Sequence, residues 1–363
     1  MTAALALHRA GMAVTVYEQA PAFTEIGAGM SLWPNATRVL KSLGVLEPVL
    51  ASGETVSRFN LHRPNGKLIS AIPMGGFSTP ALCIHRADLH LALRAQLPSG
   101  CVISGHRLEG FAQHPDRVIA RFSSGLDASA DGLVGADGIN SAVRAQIHGP
   151  GEPIFRGYCI WRGIAPETSG AVRGHISETW GPGRRFGILP MGRGRVCWYA
   201  TCNGEPSPAN PTACRKAEVR ALFKDWHAPI GALIESTDPA DILKNDAHDR
   251  KPLKSWGEGL VTLLGDAAHP ITPNVGQGAC MAIEDGACLA KCLIASPDIA
   301  AAFRSYEAKR GPRTGYVSRQ ARLIGAIGQW EHPWVVKGRD LVTRLVLSRS
   351  PEMRLNAIYA YEV

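Results

Sequence analysis

Apolar positions recur along this chain with two different periods, and the switches between them mark out its elements. Ala3, Ala4, Leu5, Ala6 and Leu7 are small or straight-chain helix formers, and Gly11 stops the run. Residues 13–17 (AVTVY) then predict a short buried strand that ends at an acid, Glu18. A helix is expected over 35–43, halted by Gly44. Residues 55–73 alternate with period two around Pro64-Asn65-Gly66, which predicts a hairpin. Leu89, Leu93 and Leu97 recur at helical spacing, with Asp88 in the first turn. Residues 102–103 and 118–122 read as short strands, followed by the apolar LVG of 133–135. From 158 to 203 the pattern is strand-like and rich in Trp, Tyr and Arg, which predicts a second domain on a mixed sheet. A Pro-rich link at 206–216 leads to a helix over 217–226. A buried strand follows at 260–264, then a helix over 279–293, and the rest to residue 360 is mostly helical.

Composition narrows the function classes. The 363 residues are 45% hydrophobic, enough for sizeable cores, and no run of 18 apolar residues predicts a spanning helix. The net charge of +8 is carried by dispersed Lys and Arg, without the basic run or aromatic stripe that nucleic-acid binding needs. An anionic small molecule or cofactor suits that balance. Nine scattered cysteines, with no C-x-x-C, fit reduced thiols in a cytoplasmic protein and no metal site.

Two stretches carry chemistry. The helix, glycine, strand and Glu18 form the later part of a nucleotide-binding βαβ unit, in which the acid accepts hydrogen bonds from ribose hydroxyls. The G-x-G-x-x-G turn that precedes such a helix has no room within the chain, so the first strand of the unit is expected to be missing. The second stretch is VTLLGDAAHPITPNVGQGACMAIEDG, in which an apolar strand delivers Gly265-Asp266 and a Pro- and Gly-rich loop opens a helix near Gly278. Asp266 can bind sugar-like hydroxyls, and Gly276 and Gly278 let backbone approach a flat ligand. The helix N-terminus adds free N–H groups that stabilise negative charge. The same spacing also suits an ordinary capped strand–loop–helix turn.

The second stretch resembles the GD motif of the FAD-dependent aromatic hydroxylases, the single-component flavoprotein monooxygenases. LVGADGINSAVR (133–144) resembles their DG motif, IHRADLHLAL (84–93) their arginine-bearing helix start, and GAGMSLWPNA (27–36) the loop after the ribose-binding acid. YCIWRGIAP and RVCWYAT are similar to substrate-sheet strands of the salicylate, hydroxynicotinate and urate hydroxylase branch. The resemblance spans nearly the whole chain. It implies an α/β fold: a Rossmann-like FAD-binding domain (1–54, 81–150 and 255–363, C-terminal helices included) and an inserted mixed-sheet substrate domain (55–80 and 151–254).

The resemblance also implies roles. Glu18 and Gln19 would hold the adenosine ribose, and Ser31 would lie in the loop over the flavin. Arg86 would contact the cofactor, while Asp137 and Gly138 would serve the FAD site and the nicotinamide passage. Gly265 and Asp266 would reach the ribityl chain. Pro273, Gly276, Gln277 and Gly278 would line the flavin. Arg162, Arg185 and Cys197 take pocket positions, and His269 is a further candidate between a strand end and the flavin loop. Cys197 stands where relatives carry a catalytic tyrosine, and Ser31 where some carry histidine. Of Trp198 and Tyr199, alternation allows only one to face the pocket.

The implied reaction uses NADH or NADPH and O₂ to hydroxylate a small phenolic or carboxylated aromatic through a flavin C4a-hydroperoxide. Epoxidation or decarboxylating hydroxylation on the same fold is an alternative. A further one is an inactive remnant that binds FAD weakly because its glycine fingerprint is absent. The protein is expected to be a monomer or homodimer that binds neither nucleic acid nor membrane.

Overall fold

The computed structural model describes residues 1–22, 29–167, 173–206, 212–349 and 357–363. In chain order the elements begin with α1 (Thr2–Arg9), β1 (Val16–Glu18), β2 (Gly29–Leu32), α2 (Pro34–Ser42), α3 (Leu46–Ser52) and β3 (Glu54–Val56). Then come β4 (Arg58–His62), β5 (Leu68–Pro73), β6 (Ala81–His85), α4 (Arg86–Arg94), β7 (Val102–Ser104) and β8 (Leu108–Gln113). β9 (Val118–Phe122), β10 (Asp127–Ala130), β11 (Leu133–Gly135) and α5 (Ala142–His148) lead into the long β12 (Ile154–Pro166). β13 (His175–Trp180), β14 (Arg184–Pro190) and β15 (Arg195–Asn203) follow, then α6 (Thr212–Phe223), α7 (Ile230–Ser236), β16 (Leu243–Asp249) and β17 (Val261–Leu263). Three helices close the order: α8 (Gly278–Ala295), α9 (Ile299–Gly328) and α10 (Pro333–Arg349).

Local chemistry explains several boundaries. Pro34 opens α2, where its missing N–H costs nothing. Ser141 Oγ caps α5 by accepting from Arg144 N at 2.9 Å, and Asp298 caps α9 by accepting from Ala301 N at 3.1 Å. The Pro64–Gly66 turn joins β4 and β5 as an antiparallel hairpin, as the alternation predicts. The predicted loop around Ser31 differs: residues 29–32 form β2, because their backbone pairs antiparallel with β6. Residues 27–28 of that stretch and 207–211 of the Pro-rich link lie outside the described residues.

The nucleotide-type half is built from parallel ribbons. β1 pairs with β7, and β11 pairs with β17. Among the described residues no strand joins these two ribbons, and residues of both line one cavity. α1 packs along α8, with Gly286 so close that a Cβ there would sit 2.7 Å from Ala3 N. Leu5, Leu32, Leu40, Ile84, Leu263 and Met281 belong to the large core beneath.

The other half is a seven-stranded mixed sheet in the order β16-β12-β15-β14-β13-β4-β5. Its strands come from two separate stretches, 58–73 and 154–249. One face is closed by α6 and α7, where Trp161, Phe186, Trp198 and Phe223 pack with Leu233 and Ile234. The opposite face looks into the cavity.

Candidate active site

Strand register decides what that face presents. Cα partners align Glu178 of β13 with Gly187 of β14, Gly187 with Tyr199 of β15, and Tyr199 with Arg162 of β12. One row thus crosses four strands, and Glu178, Tyr199 and Arg162 all line the cavity. Gly187 is what lets the row close up. A Cβ at this position would lie 2.0 Å from Tyr199 Cε1, so the ring lies over the glycine and brings its hydroxyl beside the Glu178 carboxylate. Trp198, one residue away, points to the other face and donates to Thr237 Oγ1 at 2.8 Å. Alternation therefore gives the cavity Tyr199 and gives the core Trp198.

The Arg162 side chain makes no hydrogen bond or ion pair within the described structure, and burial lowers its pKa despite the nearby Cys197 and Tyr158. Arg185 also lines the cavity, but its guanidinium is already engaged. Nε donates to Gln329 Oε1 at 3.0 Å, Nη1 to Glu178 Oε1 at 3.4 Å, and Nη2 to Asn274 Oδ1. Arg185 therefore serves as a tie between the sheet, the loop before α8 and the end of α9. Tyr158 joins the tie, its hydroxyl accepting from Asn274 Nδ2 at 3.0 Å. Cys197 lines the cavity, and burial pushes its thiol up to about 11, so it stays protonated at neutral pH.

Opposite the sheet, the cavity meets the residues expected to hold a cofactor. Glu18, Gln19, Ser31, Arg86, Asp137, Gly138, Gly265, Asp266, Pro273, Gly276 and Gly278 all line it. Asp266 makes no hydrogen bond within the described structure; burial raises its pKa, opposed by His269 and Arg86. Glu18 keeps one carboxylate oxygen on Ala20 N at 2.9 Å. Asp137 Oδ2 accepts from Ala142 N at 2.7 Å and Val143 N at 3.3 Å, so the same acid also opens α5. Gly276 has φ +61°, and a Cβ there would lie 2.5 Å from Ser31 Oγ and 2.9 Å from Trp33 Nε1. At Gly278 a Cβ would meet nothing within 4 Å. Gln277, the residue before α8, offers no side-chain cap, so the helix's first N–H groups remain for a ligand.

Two expected residues lie elsewhere. The Gln277 side chain is fully buried and accepts from Asn35 Nδ2 at 3.0 Å, outside the cavity wall. His269 does not line this cavity either, because its Nε2 lies 2.6 Å from Asp285 Oδ2. Asp285 belongs to a buried cluster that the sequence reading did not anticipate. Asp285 Oδ2 accepts from Gly265 N at 3.0 Å, fixing the backbone that carries Asp266. Arg310 donates to Asp285 at 2.7 Å and to Glu284 at 2.6 Å, and Arg313 donates to Glu284 at 3.0 Å. Asn35 Nδ2 reaches the same Glu284 at 2.6 Å. Glu178, Gly187, Asn274 and Gln329 were likewise missed; their partners lie on distant strands and helices, where no local motif marks them.

The cavity holds about 2800 Å³, against roughly 300–1,000 Å³ for a typical small-molecule pocket. That is room for a dinucleotide and a second molecule. The residues fit FAD: an unbonded carboxylate at a strand end, a backbone cradle only glycine can form at 276, and an open helix N-terminus. Among the described residues no group of His, Cys, Asp and Glu is arranged to hold a metal, and no helix is long and apolar enough to cross a membrane.

The chain is similar to known proteins over nearly its whole length. Residues 1–321 match the family described as FAD binding domain. The aurachin C monooxygenase/isomerase of Stigmatella aurantiaca is 39% identical over 359 residues, covering 98% of this chain and 93% of that protein. The 2-heptyl-3-hydroxy-4(1H)-quinolone synthase of Pseudomonas aeruginosa strain UCBPP-PA14 is 31% identical, covering 94% and 90%. Among solved structures, Klebsiella pneumoniae HpxO complexed with FAD and uric acid superposes with a TM-score of 0.89 at 26% identity, covering 99% of this chain and 92% of that one.

Proposed function

The chain belongs to the FAD-dependent aromatic hydroxylases and is a flavoprotein monooxygenase; from that premise we propose that it uses NAD(P)H and O₂ to hydroxylate a phenolic or carboxylated aromatic or heteroaromatic ring. One observation carries the reading. The Glu178–Gly187–Tyr199–Arg162 row stands across a single cavity from Asp266, Gly276 and the start of α8.

Bound FAD, reduced by NAD(P)H and exposed to O₂, supplies the activated oxygen atom. Asp266, Glu18, Gln19 and Arg86 would hold its polar chain, and the N–H groups at the start of α8 would stabilise negative charge on its ring. The chain's remaining work is to orient the substrate, manage one proton and exclude water. Arg162, with no partner of its own, binds a ring carboxylate or oxyanion, for which guanidinium is geometrically matched. Tyr199 relays the substrate's acidic proton: its hydroxyl accepts from the ring O–H or N–H as its own proton passes to the Glu178 carboxylate beside it. A ring relieved of that proton is richer in electrons and attacks the activated oxygen faster. Cys197, protonated at neutral pH, shapes the wall and takes no part in the proton's path.

The relatives support the substrate class: one is named for a quinolone and another is complexed with uric acid. A screen of NAD(P)H oxidation over aromatic acids, hydroxypyridines and quinolones tests the reading, with product mass measured after turnover in isotopically labelled O₂. We expect one labelled atom in a ring hydroxyl. NAD(P)H oxidation that yields only peroxide with every compound would overturn it. Retention of the label in an epoxide would move the reaction type and leave the site in place.

A further inference from the structure

The cavity changes character along its length. At Arg162, Tyr199 and Glu178 it is polar. Past Trp180 it continues between the β4–β5 edge of the large sheet and helices α9 and α10, where its walls are mostly hydrocarbon, with Gln320, Arg339 and Thr343 among them. Phe59 and Leu61 on the sheet side pack against Ile324 and Ile327 of α9, and Leu323 and Val342 line the outer part. One charged side chain stands in this stretch, and it is matched. Arg339 Nη2 donates to Asp340 Oδ1 at 3.0 Å and its guanidinium stacks on Trp180 at 5.2 Å, while Asp340 in turn accepts from Arg63 Nε at 2.8 Å.

This passage opens into the same 2800 Å³ cavity as the polar row, a cavity that also runs between the β1–β7 and β11–β17 ribbons. Its outer walls are also left wet: Leu323 is 55% exposed, Val342 58% and Val335 44%, although all three line the cavity. Isolated exposed apolar side chains are ordinary, but a set that shares one concave wall marks a site for an apolar partner.

We infer that this passage binds the hydrocarbon tail of an amphiphilic substrate whose aromatic head lies at the Arg162–Tyr199 row. The inference rests on the reading of that row as the head site and adds the tail. Apolar wall without unmatched charge stabilises methylene groups by their removal from water, roughly four-fold in affinity for each one buried. A polar tail would lose most of its hydration there and meet few partners.

Titration of FAD-reconstituted protein, without NAD(P)H, tests the passage independently of turnover. The probes are 4-quinolones bearing methyl, propyl, heptyl or nonyl at ring carbon 2, and hydroxybenzoates with the same alkyl series, measured by calorimetry. Affinity should rise on the order of 100-fold from propyl to heptyl in at least one series. Leu61→Trp, which fills the passage, should abolish the gain for heptyl and leave the methyl compound unchanged. Val342→Asp, at an exposed position where folding is insensitive, should weaken heptyl about 10-fold and methyl not at all. Equal affinity along both series, equal loss for methyl and heptyl in Val342→Asp, or no binding by any probe would overturn the inference. Sedimentation with lipid vesicles combined with a flat series would do the same and assign the apolar rim to a membrane. Chain-length-dependent binding without NAD(P)H oxidation would instead remove the hydroxylation reading and keep the tail site, whereas equal turnover of methyl and heptyl compounds would keep hydroxylation and remove the tail site.

Discussion

Two of the places where the chain buries charged side chains are built on opposite rules. Behind the loop that carries Asp266, Glu284 and Asp285 are fully buried against Arg310, Arg313 and His269, and each charge has a partner of opposite sign. On the sheet wall, Glu178 and Arg185 are paired with one another, but the neighbouring guanidinium of Arg162 has no partner. The first cluster is complete without a ligand and serves as scaffold. The second is one anion short. Neither residue type nor burial separates scaffold from site here; the tally of partners does.

The contrast can be attacked at both ends. Asp285→Ala leaves Arg310 partly unmatched in the interior, and the loss of one member of a buried pair costs about 3–5 kcal/mol. Denaturant unfolding should show that loss, and a variant as stable as the parent would mean the cluster is no scaffold. Acid should expose the same dependence. Burial alone would raise the Asp285 pKa, yet His269 and Arg310 bring it below its ordinary value. Its contribution is therefore complete above about pH 4 and falls away as the pH drops through the lower folded-state value. Thermal melts between pH 6 and pH 3 should decline more steeply for the parent than for Asp285→Ala.

On the sheet wall the expected changes are in activity. Tyr199→Phe removes the proton's path and should lower kcat on the order of 100-fold with FAD content unchanged. Gly187→Ala, which pushes the Tyr199 ring away from Glu178, should reproduce most of that loss; normal kcat in Gly187→Ala would show that the row's close packing is irrelevant to turnover. Arg162→Met should raise KM for carboxylated or oxyanionic substrates roughly 10- to 100-fold, as for loss of a charge-assisted hydrogen bond. Its melting temperature should hold or rise, since the variant removes an unmatched, partly buried charge; a drop of several degrees would place Arg162 with the scaffold. The smallest effect belongs to Cys197→Ala, expected to change kcat less than about three-fold, because a thiol with a pKa of about 11 carries no proton traffic at pH 7–8.

How much of this was legible in the chain itself follows from the range of each interaction. The turn at Gly265–Gly278 and the helix start at Arg86 are local, so their residues could be read directly, and nearly all of them line the cavity. The assignment of Tyr199 over Trp198 needed only strand alternation plus knowledge of which face is covered by α6 and α7. Arg162 and Arg185 look alike in sequence, and they part company only in space: Gln329, which engages Arg185, lies 144 positions away. The Glu178–Gly187–Tyr199–Arg162 row depends on a register in which β13 runs parallel to β4 and antiparallel to β14. No window of sequence contains that information. His269 was a candidate by its place beside the flavin loop, and only its contact with Asp285, 16 residues on, reassigns it.

Arg185 gives the molecule a mechanical property as well. Through Asn274, Glu178 and Gln329 a single guanidinium joins three segments: the loop before α8, the sheet wall of the cavity, and the end of α9. Such a node acts as a truss. Displacement of any one segment loads the other two, so the gap between that loop and the sheet wall is set by a short chain of links. In the proposed reaction, the distance over which the oxygen atom travels would thereby be a dimension of the scaffold.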